Sequence, residues 1–351
     1  MKDMKRNVFI IAGIIALTAW QCSKSDRSGN NLSLKESLVF SAEKINTAFS
    51  KIATSKGYQL LTVTEADTKS DDLSSFRDSI NLPLIAGIYD FKPSGETTRH
   101  LYFPFRLFQK TGTSDKLIVN LPERLVFHPR YLHFYNLEDS ILKNNFTITA
   151  SDYHFYYTWW ENTDYYLASA FTLDSKDIGS MKISSSWNSG VSGKYSRSFT
   201  FPEGYSIAQR GQTGDTTKMV FALAQNTDTL LEESLTFIGQ EHMRKEKQYV
   251  LAIGNVDIKK TTGIDSIQVF LGGVLQKKAG AKIIDSTDVN SSICHKRDIL
   301  LTYNDGTTAK LSDLLSPSLE TLRSLSQSLG DMYFSKRIID FIAFSIYYSN
   351  H

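Results

Sequence analysis

Histidine and serine spacing in this chain matches none of the common catalytic motifs. No two of the seven histidines stand four residues apart with an acid between them, the arrangement of helical zinc peptidases. His128 and His133 are five residues apart, and spacing indicates no third ligand for them. Ser192 lies between Gly190 and Gly193 and lacks the five-residue Gly-x-Ser-x-Gly spacing of a nucleophile elbow. We therefore assign no catalytic residue, no metal site and no cofactor from the sequence.

Two acids beside aromatic residues keep one catalytic alternative open. Glu161 follows Trp159 and Trp160 directly, and Asp164 comes three residues later. Glycosidases use two carboxyl groups that are about 5 to 9.5 Å apart across a cleft, a distance that sequence does not fix. A turn is the better explanation of both acids, so a glycan-directed hydrolase is the alternative rather than the leading hypothesis.

The residues best suited to binding form an aromatic stretch from Tyr153 to Tyr166. Because successive side chains of a strand point to opposite faces, one face receives Tyr153, Phe155, Tyr157 and Trp159. The other face then carries rings with polar tips, which suit a sugar ring or a protein partner. The predicted ligand-binding residues are Tyr156, Trp160, Tyr165 and Tyr166. The alternative is that helices cover this second face.

Helices are predicted on both sides of the region that contains the aromatic stretch, one before it and two after it in the chain. Ser33 and Glu36 have the spacing of a capping box, and apolar residues then recur every three or four positions, at Leu34, Leu38, Ala42, Ile45, Phe49 and Ile52. Ser316 and Pro317 predict the start of a helix that Gly330 ends. Residues 332 to 348 are apolar nearly all round, which predicts a helix that is docked on the domain or bound to a partner.

Residues 82 to 311 have the pattern of many short strands. Asp305-Gly306 lies between two of them and suits the tight turn of an antiparallel hairpin. The predicted fold class is α+β, mainly β, with an antiparallel β-sandwich or barrel-like sheets, an N-terminal helix and a C-terminal helical segment. A weak similarity between residues 166–183 and 249–267 leaves open whether this region is one domain or two modules, 82–201 and 202–311.

The first residues of the chain have the order of a bacterial export signal. Lys2, Lys5 and Arg6 precede an uncharged apolar run of thirteen residues, Val8 to Trp20, whereas a bilayer-spanning helix needs about 20. Cys22 follows, and residues 23 to 31 are almost entirely polar. This order resembles a bacterial lipoprotein precursor of the Gram-negative type, although Ala19 and Gln21 stand where that family has Leu and a small residue.

The resemblance implies a domain order and a location. Residues 1–21 would be the signal peptide, 22–32 the lipidated Cys22 and a flexible tether, 33–81 the N-terminal helix and a connection, 82–311 the β-rich domain, and 312–351 the C-terminal helices. Ser23 stands where an Asp would retain such a protein at the inner membrane, so the resemblance favours the outer membrane, on its periplasmic or cell-surface face. An ordinary signal peptide is the alternative.

Charge and cysteine content exclude several classes of function. Removing residues 1–21 would leave 36 basic against 36 acidic residues, which gives no electrostatic footprint for nucleic acid. Cys22 and Cys294 are the only cysteines, so a disulfide framework is not expected. We therefore expect a lipid-anchored, non-catalytic binding or assembly module for glycan or an outer-membrane protein. The alternatives are the hydrolase or a carrier of an apolar ligand.

Acylation of Cys22 is directly testable. Cells that express the wild type should incorporate a radioactive fatty acid into the protein, and cells that express Cys22→Ser should not, because the thiol is the only acceptor that the resemblance implies. Gel autoradiography of the immunoprecipitated proteins measures this. Cys294→Ser is the matched control and should keep the label. Equal labelling of wild type and Cys22→Ser would contradict the prediction.

Overall fold

The helices and strands of the protein are those of a computed structural model, which describes residues 32–61, 79–92, 108–123, 143–158, 162–188, 192–239, 246–286, 296–316 and 333–349. The helices are α1 (Leu34–Thr54), α2 (Lys56–Leu61), α3 (Leu82–Ile85), α4 (Leu311–Leu315) and α5 (Tyr333–Ser349). The strands are β1 (Ser79–Asn81), β2 (Gly87–Phe91), β3 (Phe108–Gly112), β4 (Leu117–Leu121), β5 (Phe146–Thr158), β6 (Asn162–Leu173), β7 (Lys176–Asn188), β8 (Ser192–Thr200), β9 (Tyr205–Thr213), β10 (Thr216–Gln225), β11 (Asp228–Ile238), β12 (Glu246–Ile253), β13 (Val256–Thr261), β14 (Gln268–Leu271), β15 (Val274–Leu275), β16 (Gly280–Ser286), β17 (Lys296–Thr302) and β18 (Thr308–Lys310).

Most of these strands belong to one 15-stranded sheet, in which β5 to β15 are neighbours in chain order. Strands β2, β3 and β4 extend the sheet beyond β5, and β2 pairs with β4 in parallel. Strand β1 also pairs with β5. The strands β16, β17 and β18 form a second sheet, and a bridge between Ile267 and Ala281 links it to the first. The predicted α+β, mainly β class with a helix at each end is therefore confirmed.

Tight turns explain why neighbours in sequence are neighbours in the sheet. Asp174 and Ser175 join β6 to β7 with positive φ angles of 47° and 63°, the combination of a type I′ hairpin turn. Such turns match the twist of the flanking strands and leave no room for a crossover. The predicted Asp305-Gly306 hairpin is also present, with Thr302 paired to Thr308. The boundary between the two possible modules, 82–201 and 202–311, falls between β8 and β9. These two strands also pair with each other in the sheet.

Helix α1 covers one end of the sheet. Ser33 and Glu36 form the predicted capping box, and the whole predicted stripe is buried, at Leu34, Leu38, Ala42, Ile45, Phe49 and Ile52. The helix packs against β11, β12 and β13. Its 21 residues give little stability alone, so its burial against the sheet is what holds it.

Helix α5 is docked on the strands that carry the predicted aromatic stretch. Ile338, Ile339 and Ile342 are buried, and the Phe344 ring meets the Phe155 ring edge to face, with centroids 5.0 Å apart. The helix also packs against β1 and α3. Between the two predicted alternatives for this segment, the structure shows the docked one. The predicted helix that begins at Pro317 lies outside the described residues.

The buried side of α5 is sensitive to charge. Ile339 is 0% exposed, so Ile339→Asp should lower the free energy of unfolding by several kcal/mol, on the order expected for burying an unpaired charge. The matched control is Val39→Asp on α1, where the side chain is 39% exposed and the cost should be about 0.5 kcal/mol. Denaturant melts of both variants measure the difference. Equal destabilisation by Ile339→Asp and Val39→Asp would contradict the docking of α5 through its buried face.

Candidate functional site

The predicted binding residues do not share one face of the sheet. In the β5–β6 ladder, His154 pairs with Tyr166 and Phe155 pairs with Tyr165. Tyr165 is only 4% exposed and points to the helices, whereas Tyr156 is 37% exposed on the opposite face. Tyr166 is half-buried on the same face as Tyr156. Trp160 lies outside the described residues, as do Trp159 and Glu161.

The inward position of Tyr165 is explained by a buried carboxylate on α5. The hydroxyl groups of Tyr153 and Tyr165 both donate to Oδ1 of Asp340 at 3.1 Å. The Lys336 ammonium pairs with the second carboxylate oxygen and lies 4.3 Å from the centre of the Tyr165 ring. The polar tip of this tyrosine is therefore used inside the protein and is not offered to a ligand.

Burial also shifts the pKa values of Asp340 and Tyr153 in this cluster. Burial raises the pKa of the Asp340 carboxyl, and it outweighs the opposing effects of the Lys336 ammonium and of the hydrogen bonds that the carboxyl accepts. Burial likewise raises the pKa of Tyr153 well above its ordinary value, with Asp340 adding to the effect. Tyr153 is thus kept as a hydrogen-bond donor to the carboxyl group. We call the cluster of Tyr153, Tyr165, Lys336 and Asp340 the polar lock, and we interpret it as the set of contacts that fixes the position of α5 on β5 and β6.

The helices cover only part of the sheet face on which they pack. Residues aligned across the sheet on this face form a fully buried core row, made of Ser169, Met181, Phe199, Ile207, Leu223, Leu231, Ile253 and Val256. Two residues further along each strand, the ends of the next row are still buried, at Leu167 and Ile183 on one side and Leu251 and Ile258 on the other. Between those ends the cover is incomplete.

This incompletely covered region is the candidate site, and we call it the open surface. It lies on β7 to β12 and comprises Trp187, Tyr195, Arg197, Gln209, Met219, Phe221, Glu233, Leu235, Phe237 and Tyr249. Trp187 and Met219 are 46% and 49% exposed. Tyr195 is exposed too, and the other apolar side chains of the set are half-buried. A contiguous group of exposed apolar side chains marks an interaction site more often than isolated apolar residues do.

Two rings of the open surface lie flat on glycines of the neighbouring strand. A Cβ at position 193 would lie 2.2, 2.5 and 2.7 Å from three consecutive ring atoms of Trp187. Nearly equal distances to adjacent ring atoms arise when the face of a ring, not its edge, covers the glycine. A Cβ at position 211 would meet Tyr195 in the same way, at 2.1, 2.5 and 2.8 Å. Each ring thus shields glycine backbone with one face and turns the other outward.

Polar groups are interleaved with these rings. The Arg197 guanidinium donates through both Nε, at 2.7 Å, and Nη2 to Oε1 of Gln209 on the next strand. The hydroxyl of Tyr249 donates to Oε1 of Glu233 at 3.0 Å. Burial raises the pKa of Tyr249, and the Glu233 carboxylate raises it further. The open surface therefore combines exposed rings with oriented hydrogen-bonding groups.

The described part of the chain gives no sign of a metal centre or a membrane-spanning helix. Within those ranges, no three His, Cys, Asp or Glu residues are grouped so that they could hold a metal ion. None of the helices there is both long enough and apolar enough to cross a bilayer. No family model, no curated protein and no solved structure matches this chain. Its function must therefore be inferred from the geometry of the open surface.

The polar lock on α5 can be tested by stability measurements. Asp340→Ala would leave two buried tyrosine hydroxyls and the Lys336 ammonium without their shared partner, so it should lower the free energy of unfolding by about 3 to 5 kcal/mol. Tyr165→Phe removes one donor and keeps the ring, and should cost about 1 kcal/mol. Urea unfolding measures both values. A cost for Asp340→Ala that is no greater than that for Tyr165→Phe would show that the cluster does not hold the helix.

Proposed function

We propose that this chain is an envelope lipoprotein, anchored in the outer membrane through Cys22 on its periplasmic or cell-surface face. Its folded part acts as a non-catalytic binding or assembly module for a glycan or an outer-membrane protein, and nucleic acid is not among its ligands. Acyl chains contribute about 0.8 kcal/mol per buried CH₂ to membrane attachment, so the folded part needs no membrane affinity of its own.

The observation that supports the binding role in this proposal is the open surface. Its rings and hydrogen-bonding groups lie on paired strands in the middle of a large sheet, where the backbone is fixed by ladders on both sides. A rigid surface loses little conformational entropy when a ligand binds, so little of the free energy of its contacts is offset by ordering. Trp, Tyr and Arg are also the residues that dominate measured binding energies at interfaces. All three are present, as Trp187, Tyr195 and Arg197.

The chemistry of the open surface favours binding over hydrolysis. Glycoside hydrolysis needs two carboxyl groups that face each other across the substrate. Among the residues that define the open surface, Glu233 is the one acid, and its carboxylate accepts a hydrogen bond from Tyr249. A carrier of an apolar ligand would need an apolar enclosure, and Arg197 with Gln209 stands in the centre of this face.

Retention of envelope material by the full chain tests the proposal. The full-length protein, immobilised in detergent, should retain a component of an outer-membrane extract that has been divided into protein and polysaccharide fractions. The double variant Trp187→Ala, Tyr195→Ala should retain at least about tenfold less, because an interface anchor commonly contributes more than about 1.4 kcal/mol. Thermal melts establish that the variants are folded.

The matched control is Tyr156→Ala, which removes an exposed ring from the opposite face of the sheet. It should retain as much as the wild type. Undiminished retention by the double variant, or loss in Tyr156→Ala alone, would show that the open surface is not the binding site.

A further inference from the structure

We infer that the ligand of the open surface is a neutral oligosaccharide, which stacks on Trp187 and Tyr195 and is hydrogen-bonded by the pair Arg197 and Gln209. This inference rests on the proposed function and specifies the class of ligand. It is drawn from three features: the orientation of the two rings, their spacing, and the distribution of charge around them.

Ring orientation is the first feature. Pyranose rings expose patches of C–H groups on their faces, and these groups pack on the negative face of an aromatic ring. Such packing requires an aromatic face that is parallel to the protein surface and open to solvent. Trp187 and Tyr195 meet this requirement because Gly193 and Gly211 let each ring lie flat on the neighbouring strand. A protein partner is favoured instead by side chains that project outward into a pocket, and these two rings do not project.

Ring spacing is the second feature. Gly193 and Gly211 are offset by one strand and two residues, since Tyr195 pairs with Gly211 and Gly193 lies two residues before Tyr195. With strands about 4.8 Å apart and a rise of about 3.4 Å per residue, the two ring positions are about 8 Å apart. A linked pair or triple of sugar units spans such a distance, so one oligosaccharide can contact both rings at once.

Charge distribution is the third feature. Gln209 accepts from Arg197 through its carbonyl oxygen, and this arrangement orients its amide nitrogen as a donor for a hydroxyl group. Glu233 is hydrogen-bonded to Tyr249, and Lys247 lies 5.6 Å from the centre of the Phe237 ring. Basic and acidic groups are thus interspersed, and the residues that define the open surface form no cluster of one sign. A neutral ligand with many hydroxyl groups fits this pattern better than a polyanion does.

Isothermal titration calorimetry on the full-length protein in detergent tests the inference. The probes are cellohexaose, maltohexaose, mannohexaose and xylohexaose, with hexagalacturonate as the anionic counterpart. At least one neutral probe should bind and should quench tryptophan fluorescence. Trp187→Ala and Tyr195→Ala should each weaken that binding about tenfold or more, the loss expected when one stacked ring is removed.

A glycine variant separates ring orientation from ring identity. Gly193→Ala keeps every aromatic side chain but displaces the Trp187 ring, because its Cβ would lie 2.2 Å from a ring atom. It should weaken binding of the neutral probe several-fold. Gly280→Ala is the matched control, since its Cβ would meet nothing within 4 Å, and its affinity should equal that of the wild type.

Several outcomes would overturn the inference. They are the failure of all neutral probes to bind, a preference for hexagalacturonate, and neutral binding that Trp187→Ala and Gly193→Ala leave unchanged. If the probes fail while the open surface still retains an envelope protein, the ligand is a protein and the proposed binding function stands. If neither sugar nor envelope protein depends on Trp187 and Tyr195, the proposed function fails together with the inference.

Discussion

The fold depends on one constraint: the helix-facing side of the sheet is longer than the helices that cover it. The core row is buried across eight strands, and α1 covers it at β11, β12 and β13. Farther along the same strands, the side chains of β8 to β10 still point to that side but are only partly covered. A sheet face without full cover must carry polar groups or a ligand, and here it carries rings interleaved with Arg197 and Gln209.

The attachment of α5 shows how the other end of the same face is closed. The helix contributes apolar residues such as Ile339 and Ile342, and the Asp340 carboxyl orients it by accepting from Tyr153 and Tyr165. Replacing a buried polar cluster with apolar groups is often neutral for stability, so specificity of position is a better reason for its presence than net energy.

Local patterns predicted the helices α1 and α5 and the Asp305-Gly306 hairpin, but they did not predict the pairing across the sheet or the short helices α2, α3 and α4. The stripe of α1 and its capping box involve residues three or four apart, and the Asp305-Gly306 turn is set by two residues. Some strands carry a weak local signal: Tyr205–Thr213, which forms β9, is rich in polar residues and is held in place by its pairing with β8 and β10. The open surface was missed for a related reason. Trp187 meets Gly193, and Tyr195 meets Gly211, only when the register of three strands is known, and a shift of one residue would reverse the face of each ring.

The position of the open surface within the sheet also limits how it can recognise a ligand. Unpaired backbone groups at a sheet edge invite another strand, but the outer strand β15 has two residues, and β3 at the opposite edge exposes Gln109, Lys110 and Thr111. Short and charged edges are poor templates for strand addition. Trp187 and Tyr195 lie on β7 and β8, whose backbone groups are already paired on both sides. A ligand bound there would be recognised by side chains alone. Because Gly193 and Gly211 let the two rings lie flat without any ligand, the geometry of those rings would select among ligands by the flatness and spacing of their apolar faces.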